Sequence, residues 1–106
     1  MDRSDVINLI ETLKRQDELG VWQKTEISRT VFCQVESISQ REFYEAGRNG
    51  LNPALKFIVF FGDYNGESVV TYKGQNYAIY RTYQRKDDLL ELYCERKGGT
   101  NTVASV

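Results

Sequence analysis

The sequence predicts a mainly β protein, a small six-stranded barrel or sandwich with one short capped helix and a long loop. Three observations predict this class. Val31, Cys33 and Val35 alternate, at the period of a strand, with residues that are polar or belong to the other face. Residues 56–61 form a run rich in β-branched and aromatic side chains, and two further runs flank the turn residues at 73–74. A small barrel or sandwich is the natural closure because it removes exposed sheet edges.

The first quarter of the chain predicts strands, although one segment is ambiguous. Residues 6–13 fit either a helical stripe or a strand, and the β-rich remainder favours a strand. Residues 17–20 predict a turn. Residues 21–37 predict one long strand or a bent pair, with Trp22 and Ile27 as hydrophobic anchors.

A short helix follows over residues 40–46. Ser39 with Glu42 three residues later is a capping box, in which the serine oxygen accepts a backbone N–H and the glutamate side chain reaches back. Gly47 is a plausible stop because glycine enters the left-handed conformation at low cost. Residues 48–55 then predict a long exposed loop that contains Pro53, the one proline.

The second half predicts a meander of four strands. The strands are expected over residues 56–61, 69–72, 77–83 and 89–96, with turns at 63–66, 73–74 and 85–88. Val70 and Tyr72 are expected to face Tyr77 and Ile79 in the core. The single domain is expected over residues 1–99, followed by a short flexible tail at 100–106.

Composition restricts the classes of function. The chain of 106 residues carries 14 basic and 15 acidic side chains, a net charge of −1 that argues against a dedicated nucleic-acid domain. The absence of a long apolar run or a signal-peptide pattern predicts an intracellular protein that does not cross a membrane. There is no histidine, which removes the commonest catalytic base and metal ligand. Cys33 and Cys94 are expected to be small buried hydrophobes, with a disulfide or a reactive thiolate as weaker alternatives.

Two local patterns are candidate sites. The segment from Asp63 to Glu67 faintly resembles a calcium loop, but it lacks the longer ligand series, so a plain turn is favoured and no cofactor or metal is expected. Aromatic and basic residues share one strand, as in binders of single-stranded nucleic acid: Tyr80, Arg81, Tyr83, Arg85 and Lys86. Strand alternation weakens that interpretation, since it points Tyr80 away from Arg81, Tyr83 and Arg85.

The ordered series of segments resembles a known family. The series runs from Ser-Ile-Ser-x-x-Glu-Phe-Tyr-x-Ala-Gly through Val-x-Tyr-x-Gly-x-x-Tyr-x-Ile-Tyr-Arg-Thr-Tyr to Leu-Glu-Leu-Tyr-Cys-Glu. It is similar to the small head-closure (head–tail joining, stopper or connector) proteins of tailed phages, over about residues 6–99. No single residue is specific, so the resemblance depends on the order of the whole series.

The resemblance implies a structural subunit and not an enzyme. Such proteins are small β-barrels whose copies form a ring, expected to be dodecameric, below the portal and adaptor rings. The ring retains packaged double-stranded DNA without reading its sequence and provides the docking surface for tail-completion proteins. The expected location is the head–tail interface of the virion, after synthesis in the bacterial host cytoplasm. The alternative is a small OB-like module that binds single-stranded nucleic acid.

Two sets of candidate site residues follow. The position of the family's long loop implies channel residues at Arg48, Asn49, Gly50, Leu51, Asn52 and Pro53. Aromatic and arginine side chains dominate protein interfaces, which makes these residues candidate ring or partner contacts: Arg41, Tyr44, Tyr64, Arg81, Tyr83 and Arg85.

Overall fold

Six antiparallel strands close into a barrel in the computed structural model, which describes residues 5–97. The strands are β1 (Asp5–Gln16), β2 (Trp22–Ser37), β3 (Pro53–Phe60), β4 (Val69–Tyr72), β5 (Gln75–Gln84) and β6 (Leu89–Arg96). One helix, α1 (Gln40–Gly47), joins β2 to β3, and a 3₁₀ turn, Phe61–Asp63, follows β3. The predicted barrel with one short helix is confirmed. The predicted tail at 100–106 and the domain limits at 1 and 99 lie outside the described residues.

The core fills the barrel interior with the inward-facing residues of all six strands. Phe57 of β3 is fully buried and makes edge-to-face contacts with Tyr72 and Tyr77, at centroid distances of 5.3 and 5.8 Å. The buried cluster consists of Ile7, Leu9, Val31, Cys33, Phe57, Val59, Val70, Tyr77, Leu90, Leu92 and Cys94. The alternation predicted for β2 and the core faces predicted for β4 and β5 are therefore confirmed.

The strand order around the barrel is β1-β2-β3-β6-β5-β4, so the predicted four-strand meander is wrong. β3 pairs with β6, with Phe57 opposite Leu92, whereas β4 pairs with β1, with Leu9 opposite Val70. The segment at 61–68 carries the chain from β3 to β4. Arg29 of β2 fastens this segment, since its guanidinium donates to the Asp63 carbonyl at 2.5 Å.

β1 and β2 pair along their whole length, from Asp5 opposite Cys33 to Gln16 opposite Trp22. Residues 6–13 are therefore part of a strand, as the β-rich context predicted. β4 covers β1 only at residues 8–10, and β3 covers β2 only at residues 34–37. The outer part of the hairpin, residues 11–27, extends beyond the barrel and is called the arm below. The molecule measures 49 × 33 × 24 Å along its principal axes.

The prediction that Trp22 and Ile27 anchor a core is wrong. Both lie on the arm, and 67% of the Trp22 surface is exposed. A two-stranded ribbon has no second layer that could bury these side chains. The β-propensity of the residues is therefore sufficient for a strand but not for a core. The predicted turn at 17–20 is confirmed, because the Asp17 carboxylate accepts the backbone N–H groups of Leu19 and Val21, both at 2.9 Å.

Helix α1 begins as predicted but ends differently. The Ser39 hydroxyl accepts the Glu42 backbone N–H at 3.1 Å, which confirms the cap. The Glu42 side chain does not reach back; it turns toward β5. Gly47 belongs to the helix, and Gly50, with φ of 79°, adopts the left-handed conformation instead.

The loop after α1 is shorter than predicted. β3 begins at Pro53, which pairs with Glu95, so the segment between helix and strand is residues 48–52. A proline is tolerated there because it is the first residue of the strand, beside a bulge between Pro53 and Leu55. The β4–β5 turn is confirmed at Lys73 and Gly74, both with positive φ, and β6 spans the predicted residues.

Candidate functional site

The arm presents the most exposed apolar surface of the described residues. Leu19 at the turn is 88% exposed, and Trp22 stands at the end of β2 beside Lys14, Gln23 and Lys24. The exposed apolar side chains of the arm are Leu13, Leu19, Val21, Trp22 and Ile27. Apolar side chains grouped on one protruding element indicate an interaction surface.

Two lysines of the arm form no ion pair with any residue in the described range 5–97. Lys14 and Lys24 lie directly opposite each other in the β1–β2 pairing, on the face that carries Trp22. Like charges in directly opposed positions of a sheet are destabilising. The Trp22 side chain beside these two lysines forms a surface suited to a partner that contributes both apolar area and carboxylates.

Helix α1 carries a second exposed surface with three of the candidate residues. Phe43 and Tyr44 are more than half exposed and border a shallow depression with Arg48, whose guanidinium lies 6.0 Å from the Tyr44 ring centroid. Arg41 forms an exposed ion pair with Glu45 at 3.3 Å, a contact of little energetic weight. Arg41 and Tyr44 of the predicted interface set and Arg48 of the predicted channel set are thus accessible.

A third apolar surface lies on the outer wall of the barrel. Phe32 of β2 is 62% exposed and stands opposite exposed Val6 of β1, while half-exposed Phe60 of β3 pairs with Leu89 of β6. Sequence reasoning missed Phe32. The signal was present, since the alternation that buries Val31 and Cys33 points Phe32 outward.

Glu42 fastens α1 to β5. Its carboxylate accepts the Tyr80 hydroxyl at 2.9 Å and pairs with the Arg81 guanidinium at 2.5 Å. The guanidinium also lies 4.0 Å from the Tyr93 ring centroid. A bulge between Ile79 and Arg81 brings Tyr80 and Arg81 to the same carboxylate, so the prediction that Tyr80 points away from Arg81 is wrong. Burial is the larger cause and the hydrogen bond to Glu42 the next of a raised pKa at Tyr80.

Arg85 is held by a second network on the outer face of β6. Glu91 is only 8% exposed, and it accepts the Tyr93 hydroxyl at 2.6 Å and pairs with Arg85 at 3.5 Å. Lys56 approaches Glu91 at 3.8 Å and Glu36 at 3.2 Å. Burial, followed by the bond to Glu91, raises the pKa of Tyr93 to about 12. These contacts join β2, β3 and the turn after β5 to β6. Tyr83 of β5 is more than half exposed.

Tyr64 packs inward instead of presenting an interface ring. Its ring lies against the core, and its hydroxyl donates to the Glu67 carbonyl at 2.6 Å. The Glu67 carboxylate is 3% exposed and accepts both the Arg29 guanidinium at 2.7 Å and the Asn65 backbone N–H at 2.8 Å. Burial alone would raise the pKa of Glu67, but the bonds from Arg29 and Asn65 outweigh it and leave the pKa below its ordinary value. Sequence reasoning gave this glutamate no role.

The candidate channel loop lies against the body of the protein. The Leu51 N–H donates to the Ala46 carbonyl at 3.1 Å, and the Asn49 side chain donates to the Glu45 carbonyl at 3.3 Å. The Asn52 N–H donates to Glu95 at 3.2 Å. Pro53 is buried in β3. Of the six predicted loop residues, the exposed ones are Arg48, Asn49, Gly50 and Asn52.

The cysteines are core residues. Cys33 and Cys94 are fully buried free thiols, as the sequence predicted. Burial raises the pKa of each thiol to about 12, with the Asp5 carboxylate a further cause at Cys33. Within residues 5–97, His, Cys, Asp and Glu side chains form no group of three suited to a metal ion. No helix in that range is long and apolar enough to span a membrane.

In comparisons with known proteins, no family model matches the chain and no curated protein matches it.

Proposed function

We propose that this chain is a structural subunit of a head–tail connector ring in a tailed phage, in the class of head-closure proteins that the sequence resembles. The observation that supports the proposal is the presence of unlike apolar surfaces on separate parts of one small barrel. Trp22 lies on the arm, Tyr44 on α1 and Phe32 on the outer wall, and all three are more than 60% exposed. A head-to-tail ring needs two different, complementary surfaces on each copy, and stacked rings need more.

The proposed ring has a defined place and task. It lies below the portal and adaptor rings, is expected to contain twelve copies, retains packaged double-stranded DNA and presents a surface to the tail-completion proteins. A net charge of −1 suits a channel that must release DNA, since dense phosphate contacts would hold it. The subunit acts by assembly, without a cofactor or a catalysed reaction.

The contacts on β5 favour this proposal over the single-stranded nucleic-acid module. Base stacking needs accessible aromatic faces beside accessible cations. Arg81 is bound to Glu42 and covers the Tyr93 ring, and the Tyr80 hydroxyl is bound to the same carboxylate. Tyr83 alone would remain for stacking on this strand.

The test uses the phage or prophage that encodes the chain. The gene is deleted, particles are induced, and the lysate is imaged by electron microscopy together with an assay of DNA content. The proposal predicts separate tails beside heads that have lost their DNA. Complementation with the wild-type gene is expected to restore infectious particles.

Two complementing variants sharpen the test. Trp22→Ala removes the largest exposed side chain of the arm and is expected to reduce particle yield at least about tenfold, the loss typical of an interface aromatic. Asp87→Ala, at an exposed turn between β5 and β6, is the matched control and is expected to complement fully. Intact infectious particles from the deletion would contradict the proposal, and binding of single-stranded oligonucleotides at low salt would then support the alternative.

A further inference from the structure

The outer edge of β1 is open along the arm. β4 pairs with this edge only at residues 8–10, and the last pair joins Ile10 to Val69. From Glu11 to Gln16 no described strand lies beside it, so the backbone groups on that side are unpaired within the described chain. An open edge of this length is a template for strand addition by another chain.

The side chains along this edge form a self-complementary sequence. Glu11, Leu13 and Arg15 share one face of β1. Their direct neighbours across the hairpin on β2 are uncharged: Ile27 faces Glu11, and Gln23 faces Arg15. Neither Glu11 nor Arg15 forms an ion pair or a side-chain hydrogen bond with any residue of 5–97.

We propose that two copies of the free protein pair through these edges as an antiparallel, two-fold symmetric dimer centred on Leu13. Glu11 of each copy then lies opposite Arg15 of the other, which gives two ion pairs, and the two Leu13 side chains meet on the axis. Glu11 and Arg15, which form no ion pair within residues 5–97, each gain a partner of opposite sign. This inference concerns the free protein and is independent of the proposed connector function.

The length of the open edge fits this register. Val69 of β4 pairs with Ile10, so the free edge begins at Glu11, and the pairs that residues 11–15 of the two copies form in this register fill it. Gln16 of the second copy would fall at Ile10, where Val69 already lies, so the added strand leaves the edge after Arg15 and β4 occupies the next positions. On the opposite face Lys14 meets Thr12, which avoids a repulsion of like charges.

The pairing also gives the arm the additional strands that it lacks. An isolated two-stranded hairpin is marginally stable in water, whereas three or more strands with an apolar face are stable. The dimer converts two ribbons into one four-stranded sheet and extends the contacts of Leu13. A second copy of this chain is therefore the occupant that the edge fits.

Sedimentation velocity over a concentration series of the purified full chain tests the proposal. The wild type is expected to show a reversible monomer–dimer equilibrium. Glu11→Arg and Arg15→Glu each place like charges in both pairs and are expected to raise the dimer Kd at least about tenfold. The double variant Glu11→Arg/Arg15→Glu exchanges the signs and is expected to return the Kd to within about threefold of the wild type.

A control variant separates this dimer from a head-to-tail pairing of β1 with β2. Glu26→Lys changes a charge on β2 of the arm that the two-fold register does not use, so the Kd should stay unchanged. Weakening by Glu26→Lys without weakening by Glu11→Arg would overturn the proposal in favour of head-to-tail pairing. A wild type that sediments as a monomer up to about 1 mM would also overturn it.

Cross-linking gives a second readout that does not depend on affinity changes. Opposed residues of antiparallel strands have Cα atoms about 4.5–5.5 Å apart, within the range of a disulfide. Leu13→Cys is expected to form a covalent dimer under mild oxidation, because the native cysteines are buried. Ile27→Cys, on the other strand of the arm, is the matched control and should remain largely monomeric. Equal cross-linking of both variants would contradict the two-fold register.

Discussion

Strands β1 and β2 run through both the barrel and the arm, yet the contacts that stabilise them differ between the two regions. Ile7 and Leu9 of β1 are buried at the barrel, whereas Leu13, four residues after Leu9 on the same face, is 42% exposed on the arm. The difference lies in the neighbours. At Leu9 a second strand, β4, covers the other edge of β1, and at Leu13 only β2 is beside it.

This comparison separates the formation of strands from the formation of a core. Alternating residues and β-propensity extend the hairpin through both regions, but burial needs a closed layer. Full burial of a leucine side chain stabilises the folded state by about 1.5–3 kcal/mol. Most of the folding free energy therefore comes from the barrel, whereas the arm presents accessible apolar surface. A region that contributes little to folding and retains exposed Trp22 is suited to assembly.

The largest expected contrast comes from one truncation made in each region of β1. Leu9→Ala should lower the free energy of unfolding by about 2–5 kcal/mol, because it leaves a cavity in the closed core. Leu13→Ala should lower it by less than about 1 kcal/mol, since water already reaches that side chain. Urea denaturation followed by circular dichroism measures both. Equal losses would mean that the arm is part of the folding core.

A smaller effect is expected where β2 enters the barrel, at the Arg29–Glu67 pair. Glu67→Gln should cost about 1–2 kcal/mol at neutral pH, because it removes a charge-assisted bond whose arginine partner is partly exposed. The pKa of Glu67 in the folded protein lies below its ordinary value of 4.5. The stability from this group is therefore present above about pH 4.5 and is lost as the pH falls through the folded pKa.

The pH dependence of stability provides a control for the Glu67→Gln prediction. Urea midpoints of the wild type should fall between pH 7 and pH 3 by more than those of Glu67→Gln, because glutamine does not titrate. The other carboxylates are common to both proteins and cancel in the comparison. A steeper pH dependence in the variant than in the wild type would show that the pair does not stabilise the fold.

The smallest effect on stability is expected from removal of the outer arm. Residues 13–25 are replaced by Asn-Gly, which joins Thr12 to Glu26, a directly opposed pair in the hairpin. The unfolding free energy should change by less than about 1 kcal/mol, since the deleted residues have no described partners on the barrel strands. The same gene should fail to complement the deletion phage. An unfolded product would contradict the division between barrel and arm.

Local patterns in the sequence predicted local structure well. The alternation around Cys33, the Ser39 cap, the Lys73–Gly74 turn and the β6 boundaries are all present in the structure. Each depends on residues within a few positions of one another, which propensity and turn chemistry describe. Barrel closure also followed from the number of strands and the need to cover their edges.

Long-range arrangement was not accessible in the same way. Nothing local indicates that β3 pairs with β6 instead of β4, because either order satisfies the alternation. The bulge at Tyr80 reverses the facing that period two predicts. Trp22 is a hydrophobic residue in a strand, and only the absence of a covering layer makes it a surface residue. Tertiary contacts therefore determine which residues form the candidate site, while the local sequence determines where the strands, helix and turns lie.

The most direct test of the proposed function is cryo-electron microscopy of the neck of mature particles from the phage that encodes this chain. The proposal predicts a ring of small six-stranded barrels between the portal–adaptor assembly and the tail, with Trp22 of each arm buried against a neighbouring subunit. Particles that contain no copies of the chain, or a neck fully accounted for by other proteins, would contradict it.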